Sequence, residues 1–266
     1  MRRRVLFSLL ILSGPLARGD TIAFFYALDS DLAALKTEAR EAGQPAVVGA
    51  RRVHRLALGP HSVYAVKMGS GCVETAASAQ AVLSRFRCDW AFSLGPAGSL
   101  TDALETGRWY RVARVVAWQR GTVGITGVSM SESSIWETNW DQFPVPTASL
   151  PFQSTQTLSV ASGEMFVASS NERERIHIAT GADVVDMNAF GLASVCADHG
   201  VPLFSWKVIS DRADEDAPAA FRAFAEGYLG EGGLALTQII GALPANPRDP
   251  ASYPAIETLL REDPAK

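Results

Sequence analysis

VYAVKMGSGCVETAASAQAVLSRFRCDWAFSLGPAGSL, residues 63–100, is the stretch on which the fold turns. It opens inside an apolar run of strand length, His61 to Lys67. Residues 72–86 (CVETAASAQAVLSRF) then carry small residues at helical spacing, which predicts a helix packed closely on a sheet. Trp90 to Leu94 is a second apolar run and leads into a glycine-rich turn, GPAGSL. Strand, helix and strand in succession mark an α/β fold.

The same alternation continues outward. Thr21 to Ala27 (TIAFFYA) reads as a buried strand, and Asp29 to Ala42 as an amphipathic helix with a carboxylate in its first turn. Arg52 to Gly59 is expected to pair with His61 to Lys67 around Gly59-Pro60. Downstream, Trp109 to Trp118 is a strand candidate. Val201 to Ser210 (VPLFSWKVIS) is a buried strand ending at Asp211, and Ala219 to Gly241 reads as one long final helix.

The chain has 266 residues, 47% hydrophobic and 20% charged, which excludes a disordered, collagenous or coiled-coil protein. A net charge of −4 argues against a basic nucleic-acid groove. Residues 1–19 (MRRRVLFSLLILSGPLARG) have a positive start, a short apolar run and small residues before Asp20. That is the pattern of a cleaved signal peptide; the run is too short for a stable membrane anchor. Export to the periplasm or the medium is the expectation, with a cytoplasmic protein as the alternative if these residues are not a signal. Cleavage leaves 20 basic and 28 acidic residues, a charge of −8. The expected layout is one domain over 20–243, with a peripheral tail at 244–266 and an aromatic-bearing insertion at 129–157 that is either a lid or interface arm or a surface insertion with its aromatics tucked onto the body. Trp136, Trp140, Phe143 and Phe152 lie in that insertion.

In open α/β sheets, ligands bind beyond the carboxyl ends of strands. Three such ends carry chemistry here: ALDSD with Asp29 and Asp31, the GPAGSL turn, and ISDRADED with Ser210, Asp211 and Asp214. A partly buried acid at such a place suits general acid catalysis; taken singly, each is better read as helix capping or turn formation. His54, His61, His177 and His199 show no metal-ligand spacing, and Cys72, Cys88 and Cys196 sit in apolar patterns. No metal and no cofactor are expected.

Four segments, in order, resemble the 5′-methylthioadenosine/S-adenosylhomocysteine nucleosidases of the nucleoside phosphorylase superfamily. IAFFYALDSDLAAL (22–35) is similar to the opening strand and AMEEE turn, and residues 63–100 to the stretch ending in TGSAGGL. VASGEMFVA (160–168) with ADVVDMNAFGLASVC (182–196) resembles the SGDAF and VDMEAAAIA segments, and KVISDRADEDAPAAF (207–221) the ISDNAD stretch. The likeness covers about residues 21–242 and implies a single-domain, three-layer α/β/α nucleoside phosphorylase-like fold with a mixed central sheet.

It also implies roles. Asp211 matches the acid that protonates the purine at N7, with a raised pKa from burial or from the acids at 214, 215 and 216. Asp31 falls where the family keeps a glutamate that positions and deprotonates the attacking water, one methylene longer. Met187 matches the residue packed on the ribose, Phe166 and Val167 the base-binding segment, and Phe221 the aromatic closing the 5′-pocket. Ser210, Ala97 and Gly98 belong to the same substrate-binding set. Two departures stand out. Asn188 replaces the glutamate that grips the ribose hydroxyls, and Pro96 replaces the serine of the glycine-rich turn.

The function implied is hydrolysis of the N-glycosidic bond of a purine nucleoside, such as methylthioadenosine. The alternatives are a non-catalytic secreted nucleoside-binding or storage-type relative, and a phosphate-dependent phosphorylase. The lack of arginine in SLGPAGSL, and the carboxylates of YALDSD, favour water over phosphate. The partner implied is a second copy of the chain, a homodimer; with export, the substrate is an imported or extracellular nucleoside.

Overall fold

The computed structural model describes residues 19–124, 127–130, 135–138, 140 and 156–243. The signal-like residues 1–18, the tail from 244, and Phe143 and Phe152 lie outside the described residues.

The chain begins with β1 (Thr21–Tyr26), α1 (Asp29–Glu38), β2 (Arg40–Glu41), β3 (Ala46–Val48), β4 (Arg51–Leu58) and β5 (His61–Lys67). Then come α2 (Cys72–Leu83), β6 (Trp90–Ser99), β7 (Trp109–Ala117), β8 (Gly121–Gly124), β9 (Gly127–Met130), β10 (Ile135–Glu137) and β11 (Thr157–Ser162). The last part holds α3 (Ser170–Thr180), β12 (Val184–Asp186), α4 (Ala189–Asp198), β13 (Leu203–Asp211), α5 (Ala217–Gly227) and α6 (Glu231–Gly241).

One mixed sheet runs β10-β7-β11-β12-β6-β1-β5-β4-β2, with β13 pairing β6 and β7 and with β3 on β4. β1 pairs in parallel with β5 and β6, and β13 is parallel to β6 but antiparallel to β7. Alternation along β1 builds two cores. Ile22, Phe24 and Tyr26 face a cluster holding Leu35 of α1 and Leu236, Ile239 and Ile240 of α6. Ala23 and Phe25 face a second cluster with Ala79, Val82 and Leu83 of α2 and Leu192, Ala193 and Cys196 of α4. A strand buried on both faces is continuously apolar, as TIAFFY is. Helices on both faces of the sheet make the three layers. α4 approaches the start of α2 closely, since a Cβ on Gly191 of α4 would lie 2.1 Å from the Cys72 carbonyl oxygen.

Three expectations need correction. GPAGSL is not a turn: β6 continues through it to Ser99. β1 has left the sheet beyond the pair Tyr26 with Leu94, so on that side Pro96 interrupts no ladder bond. The first helix stops at Glu38, and Arg40–Glu41 turns back as β2 against β4. The single final helix is two, α5 and α6, broken at Tyr228–Gly230. Gly230 adopts φ +88°, a conformation open to glycine, and a Cβ there would lie 2.2 Å from the Ser30 carbonyl oxygen.

No helix among the described residues is long and apolar enough to cross a membrane. Cys88 and Cys196 are buried free thiols and Cys72 is half-buried. Burial pushes the Cys88 thiol up to about 12.

Candidate active site

Strand ends converge on one cavity of about 350 Å³. β1 supplies Ala27 and Leu28 just beyond its end, β6 supplies Pro96, Ala97 and Gly98, and β13 supplies Ser210 and Asp211. Phe166 and Val167 enter from the loop after β11, Met187 and Asn188 from the junction of β12 with α4, and Phe221 from α5. Nine of the ten residues proposed from the sequence therefore share this wall.

Asp211 owes its place to a bulge. β13 pairs Ile209 with Ala97 and then Asp211 with Gly98, leaving Ser210 as the extra residue. Such an insertion bends a strand and re-aims the side chain that follows. The carboxyl is held at both oxygens: Ser210 Oγ donates to Oδ2 at 2.7 Å, and the Ala213 N–H donates to Oδ1 at 2.9 Å. Ala213 reaches back only by taking the left-handed conformation, φ +53°, a strained choice for a residue with a Cβ. Burial is the first cause that raises the Asp211 pKa, and Asp214 adds a smaller push; the two hydrogen bonds oppose them. Glu215 faces elsewhere, accepting from the Ser170 N–H and hydroxyl. Desolvation rather than a cluster of acids therefore sets this carboxyl.

Gly98 leaves the space this carboxyl needs. A Cβ there would lie 2.7 Å from Asp211 Oδ1 and 3.2 Å from Ala213 Cβ. Gly98→Ala is expected to displace the carboxyl and lower turnover by at least about tenfold with little loss of secondary structure. Steady-state kinetics beside circular dichroism check this.

Asp31 is the exception. It is fully buried and does not line the cavity; Oδ1 accepts from the Tyr228 hydroxyl at 2.6 Å and from the Gly233 N–H at 3.2 Å. Tyr228 in turn accepts from the Gly232 N–H at 2.7 Å. The carboxylate thus closes the N-terminal turn of α6 onto α1, a use that suits a negative group. No local pattern marks Tyr228, because its place follows from the break between α5 and α6.

Burial lifts Asp31 to about 6, from an ordinary value of 3.8. A raised carboxylate favours the protonated fold, so its ionisation removes stability as pH rises from about 4 to 6, by up to about 3 kcal/mol. Asp31→Asn, whose amide oxygen still accepts both bonds, is expected to lose that step and to keep turnover within about tenfold. Melting temperature against pH for both proteins, with one activity assay, tests both halves.

An ion pair also escaped the sequence reading. Lys207 Nζ meets Asp186 Oδ2 at 2.6 Å, both side chains only 1% exposed. The Asp186 carboxylate also accepts from the Ala189 N–H, at 3.0 Å to Oδ2, and so ties β13 to the start of α4, next to Met187 and Asn188. A lone lysine inside VPLFSWKVIS was the available signal, because a buried cation requires a partner.

The fold has relatives. Residues 21–240 match the family model described as "Phosphorylase superfamily". The chain belongs to the phosphorylase superfamily. Among relatives of this superfamily member, the 5′-methylthioadenosine/S-adenosylhomocysteine nucleosidase of Staphylococcus aureus (strain MRSA252) is 24% identical over 183 residues, 62% of this chain and 75% of the relative. The same nucleosidase from S. pneumoniae, solved with a transition-state inhibitor, superposes with a TM-score of 0.74 at 21% identity, covering 84% of this chain and 100% of the other. Futalosine hydrolase of Helicobacter pylori strain 26695 gives 0.76 at 21% identity, covering 84% and 98%. The nucleoside phosphorylase-like fold expected from the sequence is thereby established.

Proposed function

We propose that this superfamily member hydrolyses the N-glycosidic bond of a purine nucleoside, a 5′-substituted adenosine such as methylthioadenosine being the first candidate. The observation that carries this is Asp211: a buried carboxyl with a raised pKa, held at both oxygens and facing a cavity of nucleoside size. Protonated, it donates to N7 of the base, so that the base leaves neutral while the sugar becomes oxocarbenium-like. Water then adds at C1′ and releases its proton to solvent, from which Asp211 is reprotonated for the next cycle. The C1′ centre is electrophilic enough for water held in place to add without a strong base, in keeping with the engagement of Asp31 elsewhere. Phe166, edge-on to Phe221 with ring centroids 5.7 Å apart, covers the base side, and Met187 offers an apolar surface to the sugar. Beyond these two rings an open shelf, with Pro218 and Ala225 and flanked by Arg222 and Glu226, leaves room for a 5′-substituent.

Water is favoured over phosphate by charge. Among the described residues lining the cavity the one cation is Lys67, and it bonds Asp29 Oδ2 at 2.7 Å. Adenine release from methylthioadenosine in phosphate-free buffer is the expected result. Strict dependence on phosphate would instead establish phosphorolysis, and tight binding without release a binding protein.

Two further features belong to this reading. The signal-like start supports export, which N-terminal sequencing of protein recovered outside the cytoplasm checks. Met165 and Phe166 stand 56% and 44% exposed beside the cavity, apolar surface that suits a homodimer. Light scattering checks the mass.

A further inference from the structure

Asn188 precedes α4 and lines the cavity. Its amide nitrogen donates to the Gly69 carbonyl at 2.7 Å and to Thr75 Oγ1 at 2.8 Å. A primary amide has two N–H bonds, so both are used. A carbonyl oxygen only accepts, which fixes the end of the amide that faces Gly69. The Thr75 hydroxyl gives its one proton to that same carbonyl, at 3.3 Å, and takes the Asn188 bond on a lone pair.

Both partners sit in crowded surroundings: Thr75 is fully buried, and a Cβ on Gly69 would lie 2.2 Å from Glu74 Cβ. A carboxylate in the same pose would set an anionic oxygen against the Gly69 carbonyl, and the Thr75 hydroxyl could serve it only by turning its proton away from that carbonyl. This corner is built for an amide.

What remains for a ligand is the amide oxygen, a single neutral acceptor. With Asp211 beside the leaving base, the sugar occupies the side of the cavity walled by Met68, Gly69, Ser70, Met187 and Asn188. A carboxylate grips two vicinal hydroxyls through two charged oxygens. One neutral oxygen takes one hydroxyl, and by a weaker bond. We infer that Asn188 sets the sugar specificity of this cavity, which accepts 2′-deoxyribonucleosides about as well as ribonucleosides. The inference rests on the N-glycosidase reading of the site. Intrinsic chemistry supports it: loss of the 2′-hydroxyl removes an electron-withdrawing group beside C1′ and eases oxocarbenium formation.

The test compares kcat/KM for methylthioadenosine with its 2′-deoxy counterpart, and for adenosine with 2′-deoxyadenosine. A ribose preference below about tenfold in either pair is expected, the range of one neutral hydrogen bond; a larger preference in both pairs overturns the inference. Asn188→Glu, whose carboxylate is repelled by the Gly69 carbonyl and driven into the cavity, is expected to raise the ribose preference at least about tenfold. A folded variant with an unchanged ratio overturns the assignment to Asn188, and should it not fold, the wild-type ratios decide. If no nucleoside is turned over, the hydrolase reading fails by itself. Calorimetric Kd values for the same pairs then judge the sugar inference by the same tenfold limit, and absence of binding overturns it too.

Discussion

Asp211→Asn is expected to lower kcat on purine nucleosides by about 10²–10⁴-fold, the usual worth of a positioned general acid. The substitution keeps the shape. Asn Oδ1 still accepts from the Ala213 N–H, and the amide nitrogen can donate to Ser210 Oγ, whose own proton has the Ala97 carbonyl oxygen within reach at 3.2 Å. What is lost is a proton that can be transferred. Two controls separate this from damage to the cavity. A nucleoside analogue whose leaving group departs without protonation is expected to be cleaved at nearly the wild-type rate. In the wild type, activity is expected to fall as pH rises through the raised pKa of Asp211, and the variant lacks that limb. The sign for stability runs the other way. A buried carboxyl with a raised pKa disfavours the ionised fold, so stability is lost as pH rises from the ordinary carboxylate range through the folded pKa. At neutral pH Asp211→Asn is therefore expected to melt higher than the wild type. Unchanged turnover on purine nucleosides would remove Asp211 from the mechanism.

Lys207→Met is expected to cost about 3–5 kcal/mol of stability, because it leaves the Asp186 carboxylate buried without its cation. For a domain of this size that is a fall in Tm of roughly 10 °C. Replacing both members, Lys207→Met with Asp186→Leu, is expected to recover part of the loss, since most of the cost of the single change is an uncompensated charge. A double-mutant cycle by thermal or urea unfolding gives the coupling directly. Additive losses would mean that the pair contributes nothing beyond its separate packing. Because Asp186 also holds the first turn of α4, Lys207→Met should weaken nucleoside binding as well, by displacing Met187 and Asn188.

Much of the fold was legible in local pattern. TIAFFY and the Trp90 run are strands because their residues are apolar on both faces, HSVYAVK because its Val63, Ala65 and Val66 are buried in a β-rich run, and 72–83 is a helix because its small residues recur at helical spacing. Where local pattern misled, a long-range contact had decided. GPAGSL has the composition of a turn, yet β13 and β12 pair with it and draw it into the sheet. The 219–241 stretch has the pattern of one helix, yet α1 lies so near that only glycine fits at 230, and the helix breaks there.

The candidate site divides in the same way. Its strand-end and loop residues, from Ala97 and Gly98 through Phe166, Met187 and Asn188 to Asp211 and Phe221, were readable because ligands of open sheets bind where strands end, and four ordered segments marked those ends. Sequence alone determined the α/β class and marked the strand ends and loops that carry Asp211 and Asn188 to the cavity. Only the tertiary structure decided what each polar group does. It turned Asp31 from the cavity to Tyr228, paired Lys207 with Asp186, and locked the Asn188 amide against Gly69 and Thr75. Each of these is a contact between residues far apart in the chain, and a polar group's role follows from the partner that burial gives it, which no local pattern records.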